Sequence, residues 1–425
     1  MMNRRQYRQS PFAINLRGTH VALSFALALM LAATVATAAQ AQTYTVLYTF
    51  SGKADGAWPY SGVIFDRAGN LYGTTFQGGD LKKCPTYPGC GVVYKLDPSG
   101  RQTVLHTFTS TPDGQAPGYG NLLFDTAGNL YGTTVYGGTG KNGAITNNGV
   151  VFKLSTKARE SILHNFPDGS GDGAGPEAGL VQNAAGEFYG TTFAGGQYCS
   201  DSGCGTVFKM SKTGKYSVMH SFNGYDGFGP VGGLVVDGSG NVYGIASSGG
   251  LGYGTVFKIS KTGKFSVLYK FKGAPDGYLP FGTLVLDKAG NLYGTTFEGG
   301  NASACPAFGC GIVFKLDNKG KETILHTFSG ADGAGPFSGL ILDATGALYG
   351  TTMTASNAAG TIFKLDQAGN FTTLYGFTGK TDGGTPFAGL TADQAGNLYG
   401  TTYLGGLAGG CPYGGGCGVV FKLTP

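Results

Sequence analysis

Four kinds of side chain recur along this sequence at spacings that could do chemistry. His106, His164, His220 and His326 occupy one equivalent place in a repeating pattern, and histidine is the commonest general base. Seven aspartates, Asp55, Asp113, Asp172, Asp226, Asp276, Asp332 and Asp382, are each followed by glycine and could offer carboxylates to calcium. Eight cysteines form the close pairs Cys84/Cys90, Cys199/Cys204, Cys305/Cys310 and Cys411/Cys417, which could close disulfides or hold zinc. Glu177 and Glu187 stand where other copies of the pattern carry mostly Phe and Asn.

Each signal has a plainer reading. The copies without histidine place Tyr48, Tyr269 and Tyr375 at that position, so it accepts His or Tyr as partly buried packing, whereas a general base would be a singular feature. No G-x-S-x-G elbow, metal-type histidine cluster or telling Cys/His pair occurs. Asp-Gly is a standard turn pair, and no loop shows the dense oxygen-ligand spacing of a calcium site. A sevenfold acidic rim around a channel mouth is the functional alternative. The cysteine pairs lie on alternate repeats, each in a loop, and cannot easily meet as one four-ligand zinc site. Four disulfides clipping those loops are therefore expected, each contributing about 2 kcal/mol by chain entropy. Neither a metal nor a cofactor is expected.

The elements that must position these residues are short strands. The phrase GNLYGTT stands at 69–75, 128–134, 290–296 and 396–402, with variants GEFYGTT at 186–192, GNVYGIA at 240–246 and GALYGTT at 346–352. In the second copy NLLFD (121–125), NLYGTT, GVVFKL (149–154) and ESILHNF (160–166) are each about strand length. The D-x-x-G-N link between the first two fits a type I turn closed by a glycine with positive φ. The aspartates that end the first strand (Asp66, Asp125, Asp237, Asp287, Asp343, Asp393, with Asn183 in the third copy) suit that turn, a metal-binding ring being the rival reading. The glycine of Tyr-Gly-Thr-Thr is expected to let neighbouring sheets approach.

The order of strands repeats seven times, but the phase is split. The chain after residue 41 begins with the fourth strand type, TVLYTF, and ends with the third, VVFKLTP. In a closed ring the two fragments complete one unit. Seven four-stranded units of 50–59 residues, closed across the termini, specify an all-β, seven-bladed β-propeller over 42–425. A β-solenoid has no need of split terminal units.

Residues 1–41 read as an export signal: Arg4, Arg5, Arg8 and Arg17, an apolar run over 21–39, and Ala39-Gln40-Ala41 before the cut. A retained membrane anchor is the alternative reading of that run. The whole chain has 29 Lys+Arg against 24 Asp+Glu; without the four signal arginines the balance is 25 against 24, or +1. Nothing there calls for a nucleic-acid partner. A disulfide-clipped, extracytoplasmic, monomeric protein, secreted or periplasmic and without stable membrane insertion, is expected.

Aromatics gather in or beside the loops that break the repeat: Trp58, Tyr87, Tyr136, Tyr198, Tyr253, Phe308 and Tyr413. Exposed rings on such loops suit a polysaccharide or a surface protein; packing on neighbouring loops is the equal alternative. The repeat P-x-x-G-L-x-x-D-x-x-G-N-L-Y-G-T-T, followed by G-G and G-T-V-F-K-L, resembles the GloVer tandem repeat of bacterial choice-of-anchor exported proteins over 44–425. Its strand pattern is also similar to that of NHL-type propellers. The resemblance implies an exported repeat protein, often followed by a surface-sorting tail, and it implies no activity. The sequence ends at Pro425 without such a tail, which favours free secretion or periplasmic residence over anchoring. The expected function is a non-catalytic binding or scaffold module with its ligand on the loop face. A glycan-binding lectin is the alternative, and a lactonase or polysaccharide lyase using Glu177 a more distant one.

Overall fold

The computed structural model describes residues 42–84, 88–140, 144–167, 171–199, 203–305, 308–406, 411 and 414–425. The expected signal at 1–41, with Tyr87 and Tyr413, lies outside the described residues. Thr43–Pro425 is one compact unit, and no helix occurs among its described residues.

Seven antiparallel blades follow one another, each ordered first to fourth strand across its sheet. In blade one these strands are Ile64–Phe65, Leu71–Thr75, Val92–Leu96 and Gln102–Thr107. The seventh blade takes its first three strands (Thr391–Ala392, Leu398–Thr402, Val419–Thr424) from one end of the chain and its fourth, Thr43–Thr49, from the other. Thr43 pairs with Thr424 and Thr49 with Val419. Ring closure is as the phase of the repeat requires.

The first strands are shorter than their apolar runs suggested. Only two residues of each join the ladder, such as Leu123–Phe124 of the NLLFD run. Toward the centre the inner strands of neighbouring blades crowd one another: a Cβ on Gly120 would lie 1.5 Å from the backbone nitrogen of Gly179. Backbone converging that tightly leaves no room for a side chain.

The core is divided among seven seams between adjacent blades. The aromatic of each third strand (Tyr94, Phe152, Phe208, Phe257, Phe314, Phe363, Phe421) is fully buried. Each meets, edge to face, the Phe that ends the preceding blade's fourth strand, with centroids 5.2–5.7 Å apart. Such pairs contribute about 0.5–1.5 kcal/mol beyond their burial.

Most letters of the GNLYGTT phrase have a partner in most blades, the Thr191 hydroxyl of blade three being a buried exception. In blade two, Asp125 accepts from the backbone N–H groups of Ala127 and Asn129, from Asn129 Nδ2 and from the Tyr131 hydroxyl, at 2.8–3.0 Å. Burial opposes ionisation of Asp125, but these donated bonds outweigh it and hold the carboxyl below the usual range. Blade three exchanges the roles: Asn183 Nδ2 donates to Glu187 Oε2 at 2.8 Å, and Glu187 pairs with Lys209 at 2.6 Å. Glu187 is therefore a reciprocal swap within the turn. The first threonine reaches the next blade, as where Thr133 Oγ1 donates to the Ala178 carbonyl and Thr401 Oγ1 to that of Ser61. The second, as Thr134, donates to the carbonyl two residues on.

The glycine serves a different purpose from the one expected. A Cβ on Gly294 would lie 2.8 Å from the Cζ of Phe314 and 2.8 Å from a methyl of Leu284, both in the same blade. The third-strand ring lies across the glycine that faces it in the ladder. Close approach is within one sheet, because the ring needs the space a cross-strand side chain would fill.

All four disulfides form as paired in the sequence: Cys84–Cys90, Cys199–Cys204, Cys305–Cys310 and Cys411–Cys417, with Cα atoms 5.2–5.5 Å apart. That spacing suits an ordinary bridge, and none of the eight cysteines is free. They clip the loops before the third strands as expected, and their burial adds what the sequence did not show. Cys90, Cys204, Cys310 and Cys417 are buried, each 1% exposed or less, and they belong to the apolar seams between blades. Only Cys84, Cys199 and Cys305 keep some contact with water, and Cys411 is nearly as buried as its partner. The reason is position. Each second cysteine stands two residues before a third strand whose first residue is fully buried, so it enters the core with that strand. These four sulfurs therefore stabilise by apolar packing as well as by chain entropy, and they are no part of a ligand-facing surface.

Candidate functional site

Along the fourth strands the histidines and the inter-blade aspartates turn out to be one feature. His106, His164, His220 and His326 place Nε2 2.8–3.1 Å from Asp113, Asp172, Asp226 and Asp332. Tyr48, Tyr269 and Tyr375 donate their hydroxyls to Asp55, Asp276 and Asp382 at 2.9–3.0 Å. Each fourth strand carries a bulge just before this residue, as at Leu105 of blade one, where Val104 pairs with Tyr94 and His106 with Val93. A bulge re-aims the side chain that follows it. The aspartates also accept backbone N–H groups of their own turns, as from Thr109 and Ser329. None of them lines the central cavity; each carboxylate instead bonds the His or Tyr of its fourth strand. The sevenfold pattern there is structural.

The centre is different. A cavity of about 290 Å³ is lined by the inner segments of blades two to seven. At one end of those segments stands the residue three places before the Leu or Val that precedes each first strand, directly after a proline in every blade but the second: Tyr60, Tyr119, Glu177, Val231, Phe281, Phe337 and Phe387. Five of the seven are aromatic, and they touch. Tyr60 meets Tyr119 at 5.0 Å and Phe387 at 5.1 Å, Phe337 meets Phe281 at 4.7 Å and Phe387 at 5.1 Å, and Tyr119 reaches Phe337 at 5.9 Å from a blade four places away. The residue after each Tyr-Gly-Thr-Thr adds a second tier, with Phe76, Phe297 and Tyr403 packed on the first. Each of these rings is half-buried, so part of its surface faces water.

Glu177 interrupts this aromatic ring. It follows Pro176 in the tightest part of the fold, where its carbonyl accepts from Gly120 N–H at 3.2 Å. Burial alone pushes its carboxyl up to about 7. Tyr119 beside it is pushed up to about 12 by burial and then by the charge of Glu177. Among the seven residues at these positions Glu177 is thus the one carboxyl, raised by burial toward neutral pH, beside half-buried rings and tyrosine hydroxyls.

Glu177 makes a testable contribution to stability. Its folded-state pKa lies above the unfolded value of 4.5, so the folded form holds the proton more tightly. The stability this provides is complete below about pH 4.5 and is lost as pH rises through about 7. Glu177→Gln is expected to raise the unfolding free energy at pH 8 by up to about 3 kcal/mol, less for whatever water reaches the carboxyl, and to change it little at pH 4.5. Urea unfolding at the two pH values measures this; an equal effect at both would show that the carboxyl is not held protonated.

The loop aromatics are spread out. Tyr136, Tyr198, Tyr253 and Phe308 are exposed. Tyr253 and Phe308 each contact Tyr278, at 5.4 and 6.1 Å, across the connection between blades four and five. Trp58 is half-buried against Tyr403 at 5.2 Å and so belongs to the rim of the central mouth. Tyr136 lies close enough to Tyr119 to oppose its ionisation. The structure thus brings Trp58 and Tyr136 to the mouth, while Tyr253 and Phe308 meet elsewhere. The mouth aromatics themselves were missed by sequence reasoning; their signal was an aromatic three places before the Leu or Val that precedes the first strand, in five of seven blades.

No curated protein matches the chain. Among solved structures it is similar to a gluconolactonase from Xanthomonas campestris (13% identity, 92% of each chain, TM-score 0.44). It is similar also to the PQQ-bound aldose sugar dehydrogenase from Streptomyces coelicolor (13% identity, 90% of this chain and 98% of that one, TM-score 0.44). An extracellular domain of a hybrid two-component system from B. thetaiotaomicron shares 13% identity over 91% of this chain and 42% of its own, with a TM-score of 0.50. At such identities the likeness concerns the fold alone. The model of the Gloeobacter/Verrucomicrobia repeat matches residues 33–198, 142–308 and 302–425. With that repeat running through every blade, the chain belongs to the Gloeobacter/Verrucomicrobia repeat family.

Proposed function

We propose that this protein is an exported, monomeric binding module that takes a carbohydrate at its aromatic central mouth. The observation that carries this reading is the ring of Tyr60, Tyr119, Phe281, Phe337 and Phe387 at the end of the central cavity. Half-buried aromatic faces with nearby hydroxyls and one carboxyl suit a sugar ring, whose C–H faces stack on rings while its hydroxyls need polar partners. Export is supported by four disulfides, which persist outside the reducing cytosol, and by the signal pattern over 1–41.

Binding is favoured over hydrolysis because glycoside cleavage ordinarily uses two carboxyls flanking the bond. Of the seven positions around the mouth only Glu177 carries one. A surface protein is the other partner class that such a face would accept.

A polysaccharide array probed with the purified, oxidised chain tests the reading, with and without EDTA. Tyr60→Ala and Phe337→Ala are each expected to weaken glycan binding about tenfold or more, while Tyr198→Ala and Phe308→Ala leave it unchanged. The reverse pattern would move the site to the loops, and silence across the array would turn the search to protein partners.

A further inference from the structure

At the outer edge of the seam between blades one and two, three potential metal ligands converge. His106 Nε2 lies 3.1 Å from Asp113 Oδ2 and 3.5 Å from Glu160 Oε1, and the three ligand atoms are all within 4.8 Å of one another. They come from three places: the fourth strand of blade one, the connection after it, and the start of the next blade's fourth strand (Glu160–Asn165).

The carboxylate of Glu160 is out of keeping with its position. At four seams the equivalent residue is an aromatic that stacks flat on the His or Tyr of the preceding blade: Tyr44, Tyr216, Phe265 and Phe371, with centroids 3.5–4.0 Å apart. Glu160 instead aims an oxygen at the imidazole nitrogen. That oxygen is sealed from solvent and has no hydrogen-bond partner. A buried polar atom left so calls for an explanation. Asp113 is already oriented, since Thr109 donates its backbone N–H and its hydroxyl to Oδ1 at 3.0 and 2.7 Å, leaving Oδ2 for the centre of the cluster.

We propose that His106 Nε2, Asp113 Oδ2 and Glu160 Oε1 bind a first-row divalent transition metal, with zinc(II) as the representative ion. Donors about 2.0–2.2 Å from a tetrahedral ion lie about 3.3–3.5 Å from one another. The two measured separations from His106 need little adjustment to reach that spacing. One imidazole nitrogen with two carboxylate oxygens suits zinc, whereas calcium takes oxygen ligands throughout. The Thr109 bonds to Asp113 supply the orienting contacts that metal carboxylates need. Binding takes the lone pair of Nε2, so the neutral imidazole carries its one ring proton on Nδ1 in the bound form. The ion ties blade one to blade two.

The seam between blades four and five is an internal control. Tyr269, Asp276 and Glu322 hold the same three positions there, but the tyrosine hydroxyl donates to Asp276 at 2.9 Å and to Glu322 at 3.2 Å, with no nitrogen ligand.

The test uses the untagged, oxidised chain. Zinc chloride is titrated calorimetrically at pH 7.5, and cobalt(II) is added separately to read the ligand-field absorption of a bound ion. The wild type is expected to bind a single equivalent of zinc, to gain thermal stability from it, and to be indifferent to calcium. His106→Tyr and Glu160→Gln should each lower zinc affinity at least about tenfold and abolish the cobalt spectrum, while Glu322→Gln changes neither. His106→Tyr installs the residue that Tyr48, Tyr269 and Tyr375 already are at this position, so it keeps the fold. Absence of zinc binding by the wild type, or binding that survives both His106→Tyr and Glu160→Gln, would overturn the proposal.

Discussion

Deleting the N-terminal strand, Thr43–Thr49, is expected to lower the thermal midpoint by about 5 °C or more, further than any single substitution. This strand alone completes the seventh blade, pairing with Val419–Thr424 through six register positions. Its loss uncovers Val419, Val420 and Phe421, each fully buried in the closed ring. It also removes the stack of Tyr44 on Tyr375, at 4.0 Å. Several buried side chains at about 2 kcal/mol each exceed 5 kcal/mol, a large share of the stability of an ordinary domain. In a chain of this size each kcal/mol moves the midpoint by about 1–2 °C, so a loss above 5 kcal/mol gives a shift of about 5 °C or more. Differential scanning calorimetry of the chain from 42 against the chain from 50 measures it, which keeps the buried Phe50 in both. A peptide spanning 43–49, added in excess, is expected to restore part of the loss by rejoining the open edge as a strand. An unchanged midpoint would mean that the ring does not depend on closure.

The second large effect belongs to the pair Phe314 and Gly294. Phe314→Ala is expected to cost about 3–5 kcal/mol, because it empties a fully buried ring site and removes the edge contact with Phe271 at 5.2 Å. Gly294→Ala is expected to cost about 1–3 kcal/mol, since its new methyl meets the Phe314 ring and Leu284. The decisive measurement is the double variant. With the ring gone, the methyl fills space that Phe314 vacated, so the double variant should be more stable than the sum of the single losses predicts, by about 1 kcal/mol or more. Urea midpoints for the four proteins close the cycle. Strict additivity would show that the ring and the glycine do not share space. Because every blade repeats the contact, from Gly73 under Tyr94 to Gly400 under Phe421, the result applies around the ring.

Carboxyl groups divide into two populations with opposite pH behaviour. The turn aspartates, Asp66, Asp125, Asp237, Asp287, Asp343 and Asp393, are held below their ordinary range, so what they contribute is lost as pH falls through those lowered values. Glu160, Glu177 and Glu322 are each pushed up to about 7, chiefly by burial, so what they contribute is lost as pH rises through about 7. Repetition marks the first population, and departure from repetition marks the second. Each raised carboxyl stands where other blades carry mostly aromatic residues.

The amino-acid sequence by itself determined the blade count, the order of strands, the split seventh blade, the disulfide pairs and the aspartate turns. These are local or periodic properties: a turn is set by the five residues of D-x-x-G-N, a bridge by cysteines five or six apart, and ring closure by the phase of a repeat. Residues separated by a blade or more are another matter. The pairing of Cys90 with Cys84 was legible, but its burial in the seam with blade two was not, since that depends on what the neighbouring blade lays over it. Glu160 reads as one polar residue at the start of a strand until folding lays it against His106, 54 positions earlier in the chain. Tyr119 and Phe337 draw no notice in the sequence until seven inner strands converge and set them 5.9 Å apart. Only the tertiary structure decided those meetings, because burial and proximity between blades arise from closing the ring, and no local spacing encodes which unlike residues a symmetric scaffold will bring face to face.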